Sequence, residues 1–177
     1  MRIINYQLSI IKKEAGFTII ELILTIAILS AGIIGAYAAF APLITLTYNV
    51  SLKFTAVYLA QEGLEITRNI RDYNFINGRP WSEGLLACEL GCQLDYKTGT
   101  PVPLDNPLQA YDPAAFLKVN DDSFYSYEEG ENSRFQRKVT ITQEGGPQTL
   151  KVSVLVSWEY ASKPYSFESI EYLYDWN

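Results

Sequence analysis

Residues 17–44 read FTIIELILTIAILSAGIIGAYAAFAPLI, and the rest of the chain has to be fitted around them. From Leu22 to Leu52 there is no charged residue. As a helix, the stretch from Phe17 to Ala41 would extend about 37 Å at 1.5 Å per residue, which exceeds the roughly 30 Å hydrocarbon core of a bilayer. The preceding residues, MRIINYQLSIIKKEAG, hold Arg2, Lys12 and Lys13 against Glu14, and the first base beyond the apolar run is Lys53. That asymmetry places the N-terminus in the cytoplasm and the bulk of the chain on the other side of the membrane.

Glu21 departs from a plain anchor. A carboxylate at bilayer depth is costly unless it is paired, protonated or near the interface. One reading puts it at headgroup level. The other gives it a cationic partner inside an apolar assembly. No base lies between Lys13 and Lys53, so that cation would be a new α-amino group made by cleavage after Gly16, on a neighbouring copy.

The segment Lys12-Lys13-Glu14-Ala15-Gly16-Phe17-Thr18-Ile19-Ile20-Glu21-Leu22 resembles the processing site of type IV prepilins and type II secretion pseudopilins. The resemblance implies cleavage by a prepilin peptidase between Gly16 and Phe17 and N-methylation of Phe17. It also implies a role for Glu21 in assembly, where it neutralises the N-terminus of an adjacent subunit. Ile19 stands where the family more often has Leu, and Ala38 where it often has Pro. Pro42 follows four residues later. A competing reading takes Ala36-Tyr37-Ala38 as the cleavage site of an ordinary secretory signal. Glu21 inside the run and the helical pattern continuing past the supposed cut argue against it.

Beyond Pro42, which should bend or loosen the helix, apolar residues continue at helical spacing. Leu43, Leu46, Val50, Phe54, Val57 and Leu64 fall on one face. Leu52, Leu59, Ile66, Ile70 and Tyr73 fall nearly opposite. A helix with two apolar stripes is buried on two sides: one by this chain's own sheet, the other by identical helices in a filament core or within a single domain. Gly63 lowers helix propensity by about 1 kcal/mol and marks a weak spot. The expected helix runs from Phe17 to Tyr73, in a membrane and filament-core part, 17–41, and an amphipathic continuation, 42–73.

Residues 74–134 form a connecting region rich in Gly and Pro, with short elements folded against the sheet. Within it Cys88 and Cys92 enclose three residues. In an extracytoplasmic segment they can close a disulfide, eased by Gly91 and of modest worth for so short a loop. A redox-active pair and an intermolecular bridge are the alternatives.

From Phe135 onward the period is two. FQRKVTITQ (135–143) precedes the turn Glu144-Gly145-Gly146-Pro147. Leu150, Val152, Val154, Val156, Trp158 and Tyr160 then alternate with mostly polar residues. After a turn at Ala161-Ser162-Lys163-Pro164, the residues Ile170, Tyr172, Tyr174 and Trp176 share a face. Residues 135–177 therefore read as an antiparallel meander with its apolar face on the C-terminal half of the helix, joined by a further arm around Val119–Asn120 and Phe124–Tyr127. The fold class is α+β: a long N-terminal membrane-spanning helix, pilin-like, carrying an antiparallel sheet of three to four strands.

The chain of 177 residues contains no histidine, which removes Ser-His-Asp triads, Cys-His dyads and histidine metal sites. The net charge is −6. After loss of three bases and one acid with residues 1–16 it becomes 11 bases against 19 acids, or −8, so no nucleic-acid partner is expected. The acids Asp121, Asp122, Glu128, Glu129 and Glu131 do not have calcium-loop spacing and read as a solvated turn. Arg134, Arg137 and Lys138 read as a solvated strand edge. Exposed tyrosines are glycan-binding candidates, though aromatics at strand spacing are more often core or interface. No cofactor, metal or catalytic constellation is expected.

The function these features point to is a pilin-like structural subunit, of minor-pilin type, in a type IV pilus or related filament. It would be inserted in the inner membrane as a single pass, processed, and carried by the assembly machinery into a cell-surface filament with other pilin subunits. The alternatives are a type II secretion pseudopilin and a monomeric membrane-anchored surface binding module that keeps residues 1–16.

Overall fold

The computed structural model describes residues 16–99 and 107–176. Residues 1–15, which fall in the expected leader, and 100–106, in the expected connecting region, lie outside them. The chain divides into two compact units, Met1–Leu46 and Thr47–Asn177. One helix, α1 (Ile19–Ile76), begins in the first unit and ends in the second.

Helix α1 starts two residues later than the expected Phe17 because Thr18 caps it. The Thr18 hydroxyl oxygen accepts the Glu21 N–H at 3.3 Å, satisfying one of the donors a helix start leaves unpaired. It ends three residues later than expected, at Ile76. There Gly78 takes a left-handed φ of 63°, the Gly78 N–H bonds to the Phe75 carbonyl and the Arg79 N–H to the Asn74 carbonyl. Those paired bonds form a Schellman stop. Pro42 lies inside the helix.

In the second unit a single 3-10 turn (Leu86–Cys88) leads into β1 (Cys92–Gln93), and β2 (Gln109–Ala110) follows. Next come β3 (Lys118–Val119), β4 (Tyr125–Ser126) and β5 (Glu131–Asn132), then the long strands β6 (Phe135–Gln143), β7 (Thr149–Tyr160) and β8 (Lys163–Tyr174). Among the described residues there are two sheets, ordered β2-β1-β6-β7-β8 and β4-β3-β5, with antiparallel pairing throughout. The main sheet thus exceeds the expected three to four strands. The connecting region contributes β1 and β2, each only two residues long and without a period to read. The β7–β8 turn is also tighter than expected, because Tyr160 pairs directly with Lys163. Only Ala161 and Ser162 are left to turn the chain, at φ 50° and 59°. This two-residue connection, with positive φ at both positions, matches the strand twist but suits Asn-Gly better than Ala-Ser.

The core forms where α1 lies on the main sheet. Leu52, Ala56, Leu59, Ala60, Ile66 and Ile70 pack with Phe135, Val139 and Ile141 of β6 and Leu150, Val152, Val154, Val156 and Trp158 of β7. The stripe holding Leu52, Leu59, Ile66 and Ile70 is therefore the one covered by the chain itself. Gly63 is a contact point rather than a weak spot. A Cβ there would sit 2.9 Å from Val154 Cγ1 and 3.4 Å from Arg137 Cδ, so the missing side chain lets helix and sheet close together. Thr67, one turn on and fully buried, returns its hydroxyl to the Gly63 carbonyl at 2.9 Å.

β8 reverses one expectation. Its inward positions, opposite Leu150, Val152, Val154 and Val156, are Leu173, Glu171, Ser169 and Phe167. Ile170, Tyr172 and Tyr174 face outward and are exposed. Glu171 faces inward because it has a partner there: Arg68 of α1 donates to both its oxygens at 2.7 Å, and this hydrogen bond raises the Arg68 pKa. Trp176 stacks on Phe75 at 4.6 Å and lies under Arg71 at 4.2 Å.

Two stability changes follow from this packing. Gly63→Leu should destabilise the second unit by about 1–3 kcal/mol, as overpacking does in close-packed cores, despite the better helix propensity of Leu. Replacing Ala161-Ser162 by Asn-Gly should stabilise it by about 1 kcal/mol, by relieving left-handed strain. Urea unfolding of the full chain in detergent reads both. An unchanged midpoint for the first, or a lowered one for the second, would contradict the packing and the turn assignment respectively.

Candidate functional site

At the start of the first unit, Gly16, Phe17 and Glu21 lie along one short stretch. Gly16 and Phe17 precede the helix, and Glu21 is its third residue. A Cβ at Gly16 would meet nothing within 4 Å, so packing among the described residues places no demand for glycine there. The Glu21 N–H is tied to Thr18, while its carboxylate forms no hydrogen bond or ion pair among the described residues. The [ST]-x-x-[DE] pattern of Thr18-Ile19-Ile20-Glu21 is a helix-start signal that the reading of the apolar run passed over.

Through the first unit the apolar side chains are bare. Phe17, Ile19, Ile20, Ile23, Leu29, Ile34 and Ile44 are each more than 60% exposed. The helix is long and apolar enough to cross a membrane by length and composition. Two hydroxyls within the run are satisfied by the helix itself: Thr25 donates to the Leu22 carbonyl at 2.8 Å and Ser30 to the Ile26 carbonyl at 2.7 Å. A segment that must leave water needs its polar groups paired internally. In the second unit the opposite stripe of α1 is also uncovered at Val50 and Phe54, and Tyr58 lies exposed beside them, while Val57 and Leu64 are half-buried.

Cys88 and Cys92 are joined by a disulfide. Gly91 between them has φ 110°, and Cys92 pairs with Val139 of β6. The bridge fixes the corner that feeds β1, and no free cysteine remains among the described residues.

The small basic patch is not a solvated strand edge throughout, and Arg137 is the correction. It is fully buried because β6 alternates, and Arg137 shares the inward phase of Phe135, Val139 and Ile141. Its guanidinium donates to the Leu59 carbonyl of α1 at 2.9 Å, to Glu62 at 2.6 Å and to the Leu94 carbonyl after β1. One side chain thus ties helix, sheet and connecting region together, and only its Nε lacks a partner among the described residues. The phase of the alternation was the available signal, and the neighbouring bases Arg134 and Lys138 obscured it. Tyr127 donates to the Arg137 carbonyl at 3.0 Å, and its own N–H bonds to buried Asp95. Burial pushes the Tyr127 hydroxyl up to about 12, against the opposing pull of the Arg137 charge.

Of the acids, Glu128 and Glu129 pair with Lys97, and Lys97 holds the Glu128 pKa down. Among the described residues no group of His, Cys, Asp and Glu is placed to hold a metal ion.

Arg137→Met should cost about 3 kcal/mol of stability, because it strands buried carbonyls and one face of Glu62. Glu62→Gln should cost less, about 1–2 kcal/mol, because the Gln amide oxygen still accepts from the buried Arg137 guanidinium and both backbone carbonyls stay bonded to it, so that only the counter-charge is lost. Equal effects in urea unfolding would refute the clamp. Tyr127 keeps its proton in the folded chain between pH 10 and about 12 while the unfolded chain loses it. The folded state therefore loses stability as pH rises through that window. Tyr127→Phe should flatten this loss, measured as the unfolding midpoint against pH.

The sequence family described as the prokaryotic N-terminal methylation motif matches residues 11–37. No curated protein and no solved structure matches the chain. Motif and architecture agree: the matched segment includes the first turns of α1, Ile19 to Tyr37, where the large apolar side chains are exposed, and an antiparallel sheet packs on the helix's later turns. The chain carries the N-terminal methylation motif that is the signature of type IV prepilins and pseudopilins.

Proposed function

We propose that the chain is a pilin-like structural subunit, of minor-pilin type, of a type IV pilus or related filament. The observation that carries this reading is the methylation motif running into the first turns of a helix whose large apolar side chains stay exposed among the described residues up to Leu46. Residues 1–16 act as a cytoplasmic leader. A prepilin peptidase cuts between Gly16 and Phe17 and methylates Phe17. The missing packing demand for glycine at 16 among the described residues fits a requirement imposed by an enzyme on the residue before the cut.

Before assembly the helix holds the subunit in the inner membrane, N-terminus inward. In the filament the same apolar surface packs against other subunits, and the Glu21 carboxylate neutralises the trimmed N-terminus of a neighbour. Two unlike surroundings, lipid and subunit, are both apolar, so one side-chain set serves both. The subunit works by packing and display, not catalysis.

Gly16→Val should leave full-length precursor in the membrane. Glu21→Ala should be processed normally but recovered in sheared filaments at a small fraction of the parent level. Intact mass of the mature chain reads processing and one added methyl group. A mature protein still beginning at Met1, or normal filament entry of Glu21→Ala, would overturn the corresponding step.

A further inference from the structure

The second unit is acidic, yet three bases without acidic partners gather where its helix begins. Lys53 lies on the second turn of that part of α1, Arg134 just before β6, and Lys163 opens β8 just after the hairpin turn. All three are exposed, and none has an acidic partner among the described residues.

Aromatic contacts join them into one surface. Arg134 lies over the Tyr48 ring at 5.6 Å, and Tyr48 meets Tyr160 at 5.1 Å. Tyr160 pairs with Lys163 across the hairpin. Tyr165 stacks on Trp158 at 5.8 Å, and both line a groove of about 260 Å³ with Asn49 and Lys53. The nearby acid on β7, Glu159, alternates to the opposite face of the strand from Trp158 and Tyr160. Cations interleaved with the exposed rings of Tyr48 and Tyr165, which rest on buried Trp158 and its neighbours, match the chemistry of a headgroup layer, where tyrosine rings are half-wet and the bases meet phosphate.

Chain length supplies the second argument. The second unit starts at Thr47, only a few residues after Ala41. Even fully extended at about 3.5 Å per residue, that connection keeps the unit's first turn within reach of a bilayer holding residues 17–41.

We infer that this basic and aromatic surface rests on the anionic phospholipid headgroups of the membrane that anchors the precursor, holding the second unit against the bilayer until the subunit is withdrawn. The inference rests on the bilayer-spanning part of the proposed function. A cation pair to phosphate at an exposed surface is salt-sensitive, so the contact is weak enough to be released.

The test uses the full chain with Ser162→Cys. Ser162 lies on the exposed hairpin turn, and the native cysteines are already bridged. A fluorophore there is read in vesicles of phosphatidylcholine alone or mixed with phosphatidylglycerol, each containing a headgroup-nitroxide quencher. Quenching should be about twofold or more stronger with the anionic lipid, and the excess should vanish at high salt. It should also vanish in the combined K53Q, R134Q and K163Q variant, with helix content by circular dichroism reporting its folding. The salt arm on the parent chain keeps the test decisive if that variant misfolds. Equal quenching in both lipids while the chain floats with the vesicles would overturn this inference alone. Failure to float would overturn the bilayer reading as well. Lipid-independent lysine cross-links between copies through Lys53 or Lys163 would assign the surface to a second subunit instead.

Discussion

An apolar helix surface left exposed among the described residues is the constraint on which the molecule is built. From Phe17 onward through the first unit the large apolar side chains are exposed. Water is a poor surrounding for such a surface, since each apolar side chain left exposed forgoes about 1.5–3 kcal/mol of burial. A bilayer and a bundle of like helices both supply what is missing. The absence of charge from Leu22 to Leu52 suits either, and the Thr25 and Ser30 hydroxyls are bonded within the helix.

The second unit solves a different problem, because there the same helix must hold a sheet on one face and leave the other free. Small residues make the covered face close-fitting. Ala56, Ala60, Gly63 and Thr67 recur at helical spacing along it and are all buried. Into that seam the sheet inserts Arg137. A lone buried guanidinium would be very costly, but here it meets two backbone carbonyls and Glu62. Its partners come from α1 and from the segment after β1, so it fixes where the short β1 strand joins the sheet. The Cys88–Cys92 bridge holds the other side of that same corner. Closing so few residues removes little chain entropy. Its effect is local, on a segment with almost no periodic structure of its own.

What could be read in advance divides along the same line. The apolar run, the basic residues before it, the two-striped helix and the strands from Phe135 onward all rest on long periodic patterns, which tertiary contacts seldom override. The α+β class therefore follows from the sequence. The helix ends shifted by two and three residues because Thr18 and Gly78 act as caps, a local chemistry outside the hydrophobic period. β1 and β2 were invisible, since two residues carry no period. The outward face of β8 was misread because Ile170, Tyr172 and Tyr174 are apolar and Glu171 is not. The pairing of Glu171 with Arg68 outweighed the hydrophobic alternation. Arg137 departs for the converse reason: a charged residue on an inward phase looks like an exposed one until its partners, 43, 75 and 78 residues distant in sequence, are known.

Glu21 shows how much of a site can be present in a sequence while its chemistry lies outside the chain. A carboxylate at the third position of a helix is favoured by the N-terminal end of the helix dipole, and Thr18 shows that the local start signal is in use. In a complete capping box the acid would reach back to the cap residue's own N–H. Here the recorded bond runs only from the Glu21 N–H to Thr18, and both carboxylate oxygens remain without a hydrogen bond among the described residues. An ordinary cap would serve as well with Gln, which carries no charge into an apolar surrounding. A carboxylate with no partner among the described residues, set at the head of an apolar run, is the group to which the proposed assembly would bring a cation from outside the chain. The trimmed amine of a neighbouring copy is the cation that processing after Gly16 would create.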